Sequence, residues 1–340
     1  CFLLTENLND LHPLVVNQPR AAHIRVPLPA PEDLAQFFRM SASSFPVALQ
    51  EYRNDLDAPA GYMAGATLSS VSGLLKQQEY LKKAISSNDL VSFKKKLVEK
   101  ECMGLIEFIE SDRSLDKFHG QEPVKTWIRQ DIALWNQGDH EAMPMGYLIC
   151  GPVGTGKTYL VECLAGEAGV PVVKLKNFRD KWVGSTESNL EKIFRLLHAL
   201  GRCVVFIDEA DQAMGKRSGQ SGDSGGVSGR VYSMMATEMS RSSNRGKILW
   251  ILASSRPDLI EVDLKRPGRV DVKIPLFPAH SPEEVYALIR ILCGKYDLNL
   301  SKEAPEDLIS KLPELVTPGA AESLAVKVYR LVKTKEMCAD

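Results

Sequence analysis

Nowhere in this 340-residue sequence do about eighteen apolar residues follow one another, and its start has no basic segment leading into an apolar stretch and a cleavage site. Nothing in it therefore directs the chain into a membrane or out of the cell. An excess of charge of one sign is also lacking. A formal net charge of −1 gives no general attraction to nucleic acid or anionic lipid, and the sequence holds no basic or aromatic-interleaved stripe of the kind a nucleic-acid motor uses. The seven cysteines form no C-x-x-C pair, and Cys150 and Cys203 fall inside apolar runs. They are expected to be reduced core residues of a cytoplasmic protein rather than a disulfide framework. With 44% hydrophobic and 25% charged residues, the chain has the composition of an ordinary globular protein and length enough for two or three domains.

The strongest signal present is Gly151-Pro152-Val153-Gly154-Thr155-Gly156-Lys157-Thr158. It fits G-x-x-x-x-G-K-[ST] and follows the apolar run Tyr147 to Cys150, the strand such a loop needs. Glycines let successive backbone N–H groups converge on phosphate oxygens. Lys157 reaches the β and γ phosphates, and the Thr158 hydroxyl supplies a Mg²⁺ ligand. A helix starting at Thr158, with Tyr159 beside it on the nucleotide side, aims its positive end at the same anion.

About fifty residues on, Cys203-Val-Val-Phe-Ile207 reads as a buried strand ending in Asp208-Glu209-Ala210-Asp211. The carboxyl edge of a parallel sheet is its ligand edge. Asp208 is thus placed to hold Mg²⁺ through water, and Glu209 to orient and deprotonate an attacking water. Apolar runs at Tyr147 to Cys150, Pro171 to Leu175, Cys203 to Ile207, Ile248 to Ala253 and Val270 to Leu276 alternate with helical patterns. That alternation predicts a doubly wound α/β sheet. Ser281-Pro282-Glu283-Glu284 supplies an N-cap, a first-turn proline and an N3 glutamate ahead of Val285, Leu288, Ile289 and Leu292, predicting a helix there.

Three further segments complete the set: Lys181-Trp182-Val183-Gly184, Ser254-Ser255-Arg256-Pro257-Asp258 and Lys265-Arg266-Pro267-Gly268-Arg269. Together with the phosphate loop and the strand-end acids they resemble the AAA+ ATPases, specifically the protein-remodelling clade that includes the Cdc48/p97 and FtsH types. The resemblance covers roughly residues 115–330. It implies a five-stranded αβα P-loop NTPase domain followed by a small helical lid, with ATP and Mg²⁺ as ligands and a hexameric ring of identical chains acting on a polypeptide. It implies that Arg266 and Arg269 are arginine fingers reaching the γ-phosphate bound by the neighbouring subunit. Trp182 and Val183, between Lys181 and Gly184, match the loop that grips polypeptide in the ring's channel, although a tryptophan after a strand is also a common packing residue. Phe118-His119-Gly120 matches the adenine-pocket segment, and Gly319-Ala320-Ala321 matches small residues that pack near the nucleotide; His119 is equally read as an ordinary histidine. The six glycines between Gly215 and Gly229 read as a second channel loop or as a linker.

Where the family has asparagine to polarise the lytic water, this sequence has Ser255. A serine is shorter by an atom and brings one hydroxyl instead of an amide, so slowed hydrolysis is expected. Two functions stay open: an ATP-driven remodeller, and a nucleotide-switched assembly factor for which slow hydrolysis is useful.

The opening stretch from Phe2 through Arg20 to Arg25-Val26-Pro27-Leu28-Pro29 parallels Ile251 through Arg269 to Lys273-Ile274-Pro275-Leu276. This internal repeat gives the expected division: residues 1–30 as the end of a first AAA+ large domain, 31–111 as its helical lid and a connector, 112–279 as the ATPase domain and 280–340 as a second lid. Asn17-Gln18-Pro19-Arg20 stands where the second copy has Arg266-Pro267-Gly268-Arg269, so a first module of this kind has lost a finger. Apolar spacing at Leu68, Val71, Leu74, Leu75, Leu81 and Ile85, and again at Phe93, Leu97, Leu105, Ile106 and Ile109, predicts helices, the second running on as the connector. Lys94-Lys95-Lys96 on that second helix reads as a solvated face.

Overall fold

The structure, a computed structural model, describes all residues except 1–2, 6–10, 17, 19, 21, 25, 64, 87–88, 91, 94–95, 97–98, 100–101, 103, 110, 177–185, 215–224 and 338–340. Its strands are β1 (Ile106–Ile109), β2 (Gly146–Cys150), β3 (Val172–Leu175), β4 (Cys203–Ile207), β5 (Ile248–Ser254) and β6 (Val272–Pro275). They form one sheet in the order β1-β3-β4-β5-β2-β6. The five expected strands are all there, each within two residues of its predicted ends, and the chain folds as the α/β P-loop architecture their alternation with helices calls for.

The sixth strand is a correction. Residues 105–109 are not the end of a helix. Gly104 takes a left-handed φ of +70°, closing the preceding turn with its N–H donating to the Glu99 carbonyl at 2.8 Å. Beyond it Ile106-Glu107-Phe108-Ile109 alternates between buried and half-buried, and β1 pairs antiparallel with β3 in the register Ile106 to Leu175 and Phe108 to Val173. Apolar residues at 105, 106 and 109 satisfy a helical spacing, but β-branched and aromatic residues after a glycine favour the strand.

The chain divides into two compact units, the first comprising Cys1–Ile109, Pro171–Val205 and Ser218–Leu249. Its helical part is built on Pro31–Ser41 and Leu68–Tyr80. The first has a proline in its opening turn and the Asp33 carboxylate accepting from the Ala30 N–H at 2.9 Å; the second is capped by Thr67. Both turn their apolar stripes inward, burying Leu34, Phe38, Val71, Leu74 and Leu75 with Met63 and Ile85. In the same unit the helices Thr186–Leu200 and Gly225–Met239 are tied by a buried carboxylate: Glu238 meets His198 Nε2 at 2.5 Å and accepts from Asn244 Nδ2 at 2.8 Å.

The second unit comprises Glu110–Val170, Phe206–Arg217 and Trp250–Asp340. Here β2 runs parallel to both β5 and β6, with Leu148 opposite Leu252 on one side and Lys273 on the other. Every residue of β5 is buried, which is the near-continuous apolar run of a strand covered on both faces. Helix Pro282–Gly294 begins as predicted, with the Ser281 hydroxyl accepting from the Glu284 N–H at 3.2 Å, and packs Val285, Leu288, Ile289 and Leu292 with Ala321 and Ala325 of helix Pro318–Met337. Among the described residues no helix is long and apolar enough to cross a membrane.

Candidate active site

Past Cys150 the chain turns through Gly151 to Gly156 and enters helix Lys157–Ala168. Gly154 and Gly156 both sit at φ +86°, where a side chain costs roughly 1–2 kcal/mol. A Cβ on Gly151 would stand 2.4 Å from the Leu276 carbonyl oxygen, so the loop is pressed onto the segment after β6. The helix has Gly156 as its N-cap, with no side chain satisfying its first amides. An anion is the natural partner for those N–H groups. Lys157 Nζ lies over the loop, donating to the Gly151 carbonyl at 2.8 Å and the Pro152 carbonyl at 3.0 Å. Burial pushes its ammonium pKa down, opposed first by the Asp208 carboxylate. Thr155 is buried, its hydroxyl donating to the Pro152 carbonyl at 2.9 Å.

The acids at the end of β4 meet this loop. Thr158 Oγ1 donates to Asp208 Oδ2 at 3.2 Å, and the Glu209 N–H donates to Asp208 Oδ1 at 3.1 Å. Glu209 itself sits at φ +48°. A non-glycine residue held in that region is a strained one, and such strain gathers at functional sites, where it aims a side chain. The hydroxyl of Thr158 and the carboxylate of Asp208 are hard oxygen donors of the type Mg²⁺ takes alongside phosphate and water.

A cavity of about 560 Å³ opens beside these groups. Gly154, Gly156, Lys157, Thr158, Asp208 and Glu209 line one part of it, and Val153 and Ser255 also face it. Elsewhere its wall combines aromatic and apolar groups, Phe118, His119, Tyr159, Leu288 and Leu292 with Gly319, and the charged side chains Arg113, Lys117, Lys295 and Glu322. The rings of Phe118 and Tyr159 are stacked, centroids 6.4 Å apart and tilted by 27°. Arg113 stands 4.9 Å from the Tyr159 ring centre and Lys295 5.8 Å. Burial, then the charges of Lys125 and Lys295, hold the His119 imidazole below its ordinary pKa, so it is neutral at pH 7. A volume of this size, with Lys157 and an uncapped helix start beside two carboxylates in one part and aromatic rings in the other, suits a nucleoside triphosphate with a divalent cation.

Gly120 and Ala320 stand just outside the wall. Gly120, at φ +74°, turns the chain toward helix Glu122–Gln137, and the Ala320 N–H donates to Thr317 Oγ1 at 3.3 Å. Arg266 and Arg269 do not line the cavity. Both pair with Asp263: Arg266 at 3.1 Å with its side chain 68% exposed, and Arg269 in a closer contact with 20% exposed. Lys181, Trp182, Val183 and Gly184 lie outside the described residues, as do most of the glycine-rich segment, Lys94 and Lys95.

Several supporting contacts leave no mark in the sequence. The buried Lys125 donates to the Phe118 carbonyl at 3.0 Å and so holds the segment Phe118-His119-Gly120. Glu167, at the far end of the phosphate-loop helix, accepts from the Leu115 N–H and from Arg129 Nε, each at 2.7 Å. At the end of β5, Ser254 is buried and bonds Asp211. A single polar side chain on a helix or at a strand end gives no signal in the sequence of the partner it bonds in the fold.

The glycine loop uncapped for an anion, the threonine–aspartate pair and the strained glutamate define a P-loop nucleoside triphosphatase domain. Residues 147–277 match the family described as "ATPase family associated with various cellular activities (AAA)". A putative ribosome biogenesis ATPase nvl of Dictyostelium discoideum is 34% identical over 158 residues, 46% of this chain and 18% of that protein. The peroxisomal ATPase PEX6 of Kluyveromyces lactis is 26% identical over 327 residues, 87% of this chain and 32% of its own length, and the PEX6 of Arabidopsis thaliana is 42% identical over 166 residues, 46% and 17%. The chain thus spans a third or less of these relatives.

Proposed function

We propose that this chain hydrolyses ATP with Mg²⁺ in an oligomeric ring, a hexamer in the cytoplasm, and spends the energy on remodelling or threading a polypeptide. The observation that carries the proposal is the junction of Thr158, Asp208 and Glu209 beside the cavity. The loop amides and Lys157 bind the phosphates, Thr158 and Asp208 hold the metal with its water, and Phe118, Tyr159 and the lid residues Leu288 and Leu292 enclose the base. Held by Thr158 and Asp208, Mg²⁺ would supply neutralisation of charge on the phosphate oxygens. Glu209, aimed by its strained backbone, takes the proton of the attacking water, and Ser255 helps to orient that water. Arg266 is exposed and both finger candidates stand off their own cavity, which supports action across a subunit boundary. The names of these relatives speak of different processes, ribosome biogenesis and the peroxisome, and have the ATPase in common.

The repeat between residues 2–34 and 251–285 supports reading the helical core around Leu34, Phe38 and Leu75 as the lid of a first AAA+ module, and Trp182 is assigned to the polypeptide grip. Ser255 at the water-orienting position favours a second reading, a nucleotide-switched assembly factor with slow hydrolysis. The decisive experiment is Glu209→Gln. ATP binding is expected to persist while hydrolysis falls by roughly 10² to 10⁴, and the ATP-held form should retain polypeptide partners in a pull-down. Near-normal turnover in this variant would remove Glu209 from its role. Trp182→Ala separates the two functions: a remodeller keeps its ATPase and loses work on a protein substrate, whereas a switch loses neither.

A further inference from the structure

Between the two candidate water-handling residues, Glu209 and Ser255, lies a buried polar link. Helix Ala210–Met214 starts immediately after Glu209 and carries Asp211; β5 ends at Ser254, immediately before Ser255. Ser254 Oγ donates to Asp211 Oδ1 at 2.5 Å, and the same hydroxyl accepts from the Arg256 N–H at 2.9 Å. Ser254 is 1% and Asp211 9% exposed. The hydroxyl therefore does two things at once. It closes a tight turn around Ser255 by bonding the residue two positions on, and it ties that turn to the element that follows Glu209.

A buried carboxylate is costly to keep unless its bonds are made, and a short bond to a hydroxyl is among the stronger ones available. Packing alone would be served as well by an apolar pair at these positions. The pair instead joins the two chain segments whose separation must match one water molecule. Displacing a reacting group by about 1 Å can cost 10²-fold in rate, so a link of this stiffness has a direct use there.

We propose that Asp211 is a positioning residue for hydrolysis: acting through Ser254, it sets the spacing between Ser255 and Glu209. The inference rests on the roles proposed above for those two residues. Turnover, affinity for a fluorescent ATP analogue and melting temperature are measured on the assembled full chain for Ser254→Ala, Ser254→Thr, Asp211→Ala and the double variant Ser254→Ala/Asp211→Ala, beside Glu209→Gln. Ser254→Ala is expected to lower kcat by about tenfold to 10²-fold with nucleotide affinity unchanged within about twofold. Ser254→Thr, which keeps the hydroxyl, should recover most of that loss, and the double variant should cost little more than Ser254→Ala alone because both act through one bond. If Glu209→Gln abolishes turnover while Ser254→Ala leaves kcat unchanged, the inference falls and the site assignment stands. If Glu209→Gln turns over normally, the site assignment falls first. Parallel loss of affinity, kcat and melting temperature in Ser254→Ala would mean that the pair only packs, and would also overturn the proposal. Should Ser254→Ala not fold, Asp211→Ala decides: it removes the oxygen that Ser254 bonds, and an unchanged kcat there overturns the proposal.

Discussion

The Gly154 carbonyl accepts a hydrogen bond from the Gly319 N–H at 2.9 Å, so the phosphate loop and the first turn of helix Pro318–Met337 are joined backbone to backbone. The approach is close because neither residue has a side chain. A Cβ on Gly319 would stand 3.2 Å from Gly154 Cα, and one on Gly154 would stand 3.0 Å from Thr317 Oγ1. Gly319→Ala must push the phosphate loop by a few tenths of an ångström. We expect it to fold normally and to bind ATP about fivefold more weakly, the equivalent of roughly 1 kcal/mol. A nucleotide titration that gives the parent's affinity would show that the loop is free to yield at this point.

Arg266 and Arg269 share one carboxylate, Asp263, and neither reaches the cavity of its own chain. If they serve a neighbouring site, ATPase activity per chain should rise with protein concentration, and chains carrying both Arg→Ala substitutions should poison mixed assemblies. Each finger can account for up to about 10³ to 10⁵ in rate. A concentration-independent ATPase sedimenting as a monomer would contradict the assignment. Asp263→Asn removes the shared charge and should release Arg266, while Arg269 Nη1 keeps its bond to the Asp263 backbone carbonyl at 2.8 Å; ATP affinity should not change.

His119 gives the site a pH dependence whose sign follows from its burial. Its pKa in the fold lies below the ordinary histidine value. The unfolded chain therefore takes up a proton at a higher pH than the folded one. Stability attributable to the neutral imidazole is complete above the unfolded value of about 6.5 and is lost as pH falls from there toward the folded value. Between pH 7.5 and 5.5 the parent should lose more melting temperature than His119→Gln. Equal losses in the two proteins would place the imidazole in water.

What could be read from the sequence divides along physical lines. The phosphate loop, β2 to β6 and the cap at Ser281 were legible because each is a local pattern: glycines at fixed offsets, apolar runs of strand length, a serine three residues before a glutamate. β1 was misread because its apolar spacing satisfies both periods, and only Gly104 and the pairing with β3 decide between them. Lys125, Glu167 and the Asp211–Ser254 pair were invisible for another reason. Their partners lie 7, 38 or 52, and 43 positions away, and a single polar residue carries no mark of a distant bond. The segment Phe118-His119-Gly120 stands between these cases: resemblance picked it out, and the structure adds that Phe118 and His119 line the cavity and that Lys125 holds them.

Ser255 offers the sharpest test of the chemistry. It faces the cavity at the end of β5, beside the buried Ser254 that anchors the turn. A serine hydroxyl is shorter than an asparagine amide and puts its one donor and its acceptor on a single atom where the amide has two donors and a separate acceptor, so in the proposed role Ser255 would hold the water from farther away. Ser255→Asn should restore that reach and raise kcat, with ATP affinity little changed because the phosphate loop and base pocket are untouched. Misplacement of a reacting group by about 1 Å costs up to 10²-fold, which bounds the gain. The substitution also distinguishes the two proposed functions: a remodeller should work faster on its substrate, whereas a nucleotide switch should lose the long-lived ATP state on which its partners depend. A fall in kcat would mean that the turn built by Ser254 leaves no room for the longer side chain, and Ser255 would then have to be assigned to packing rather than to the water.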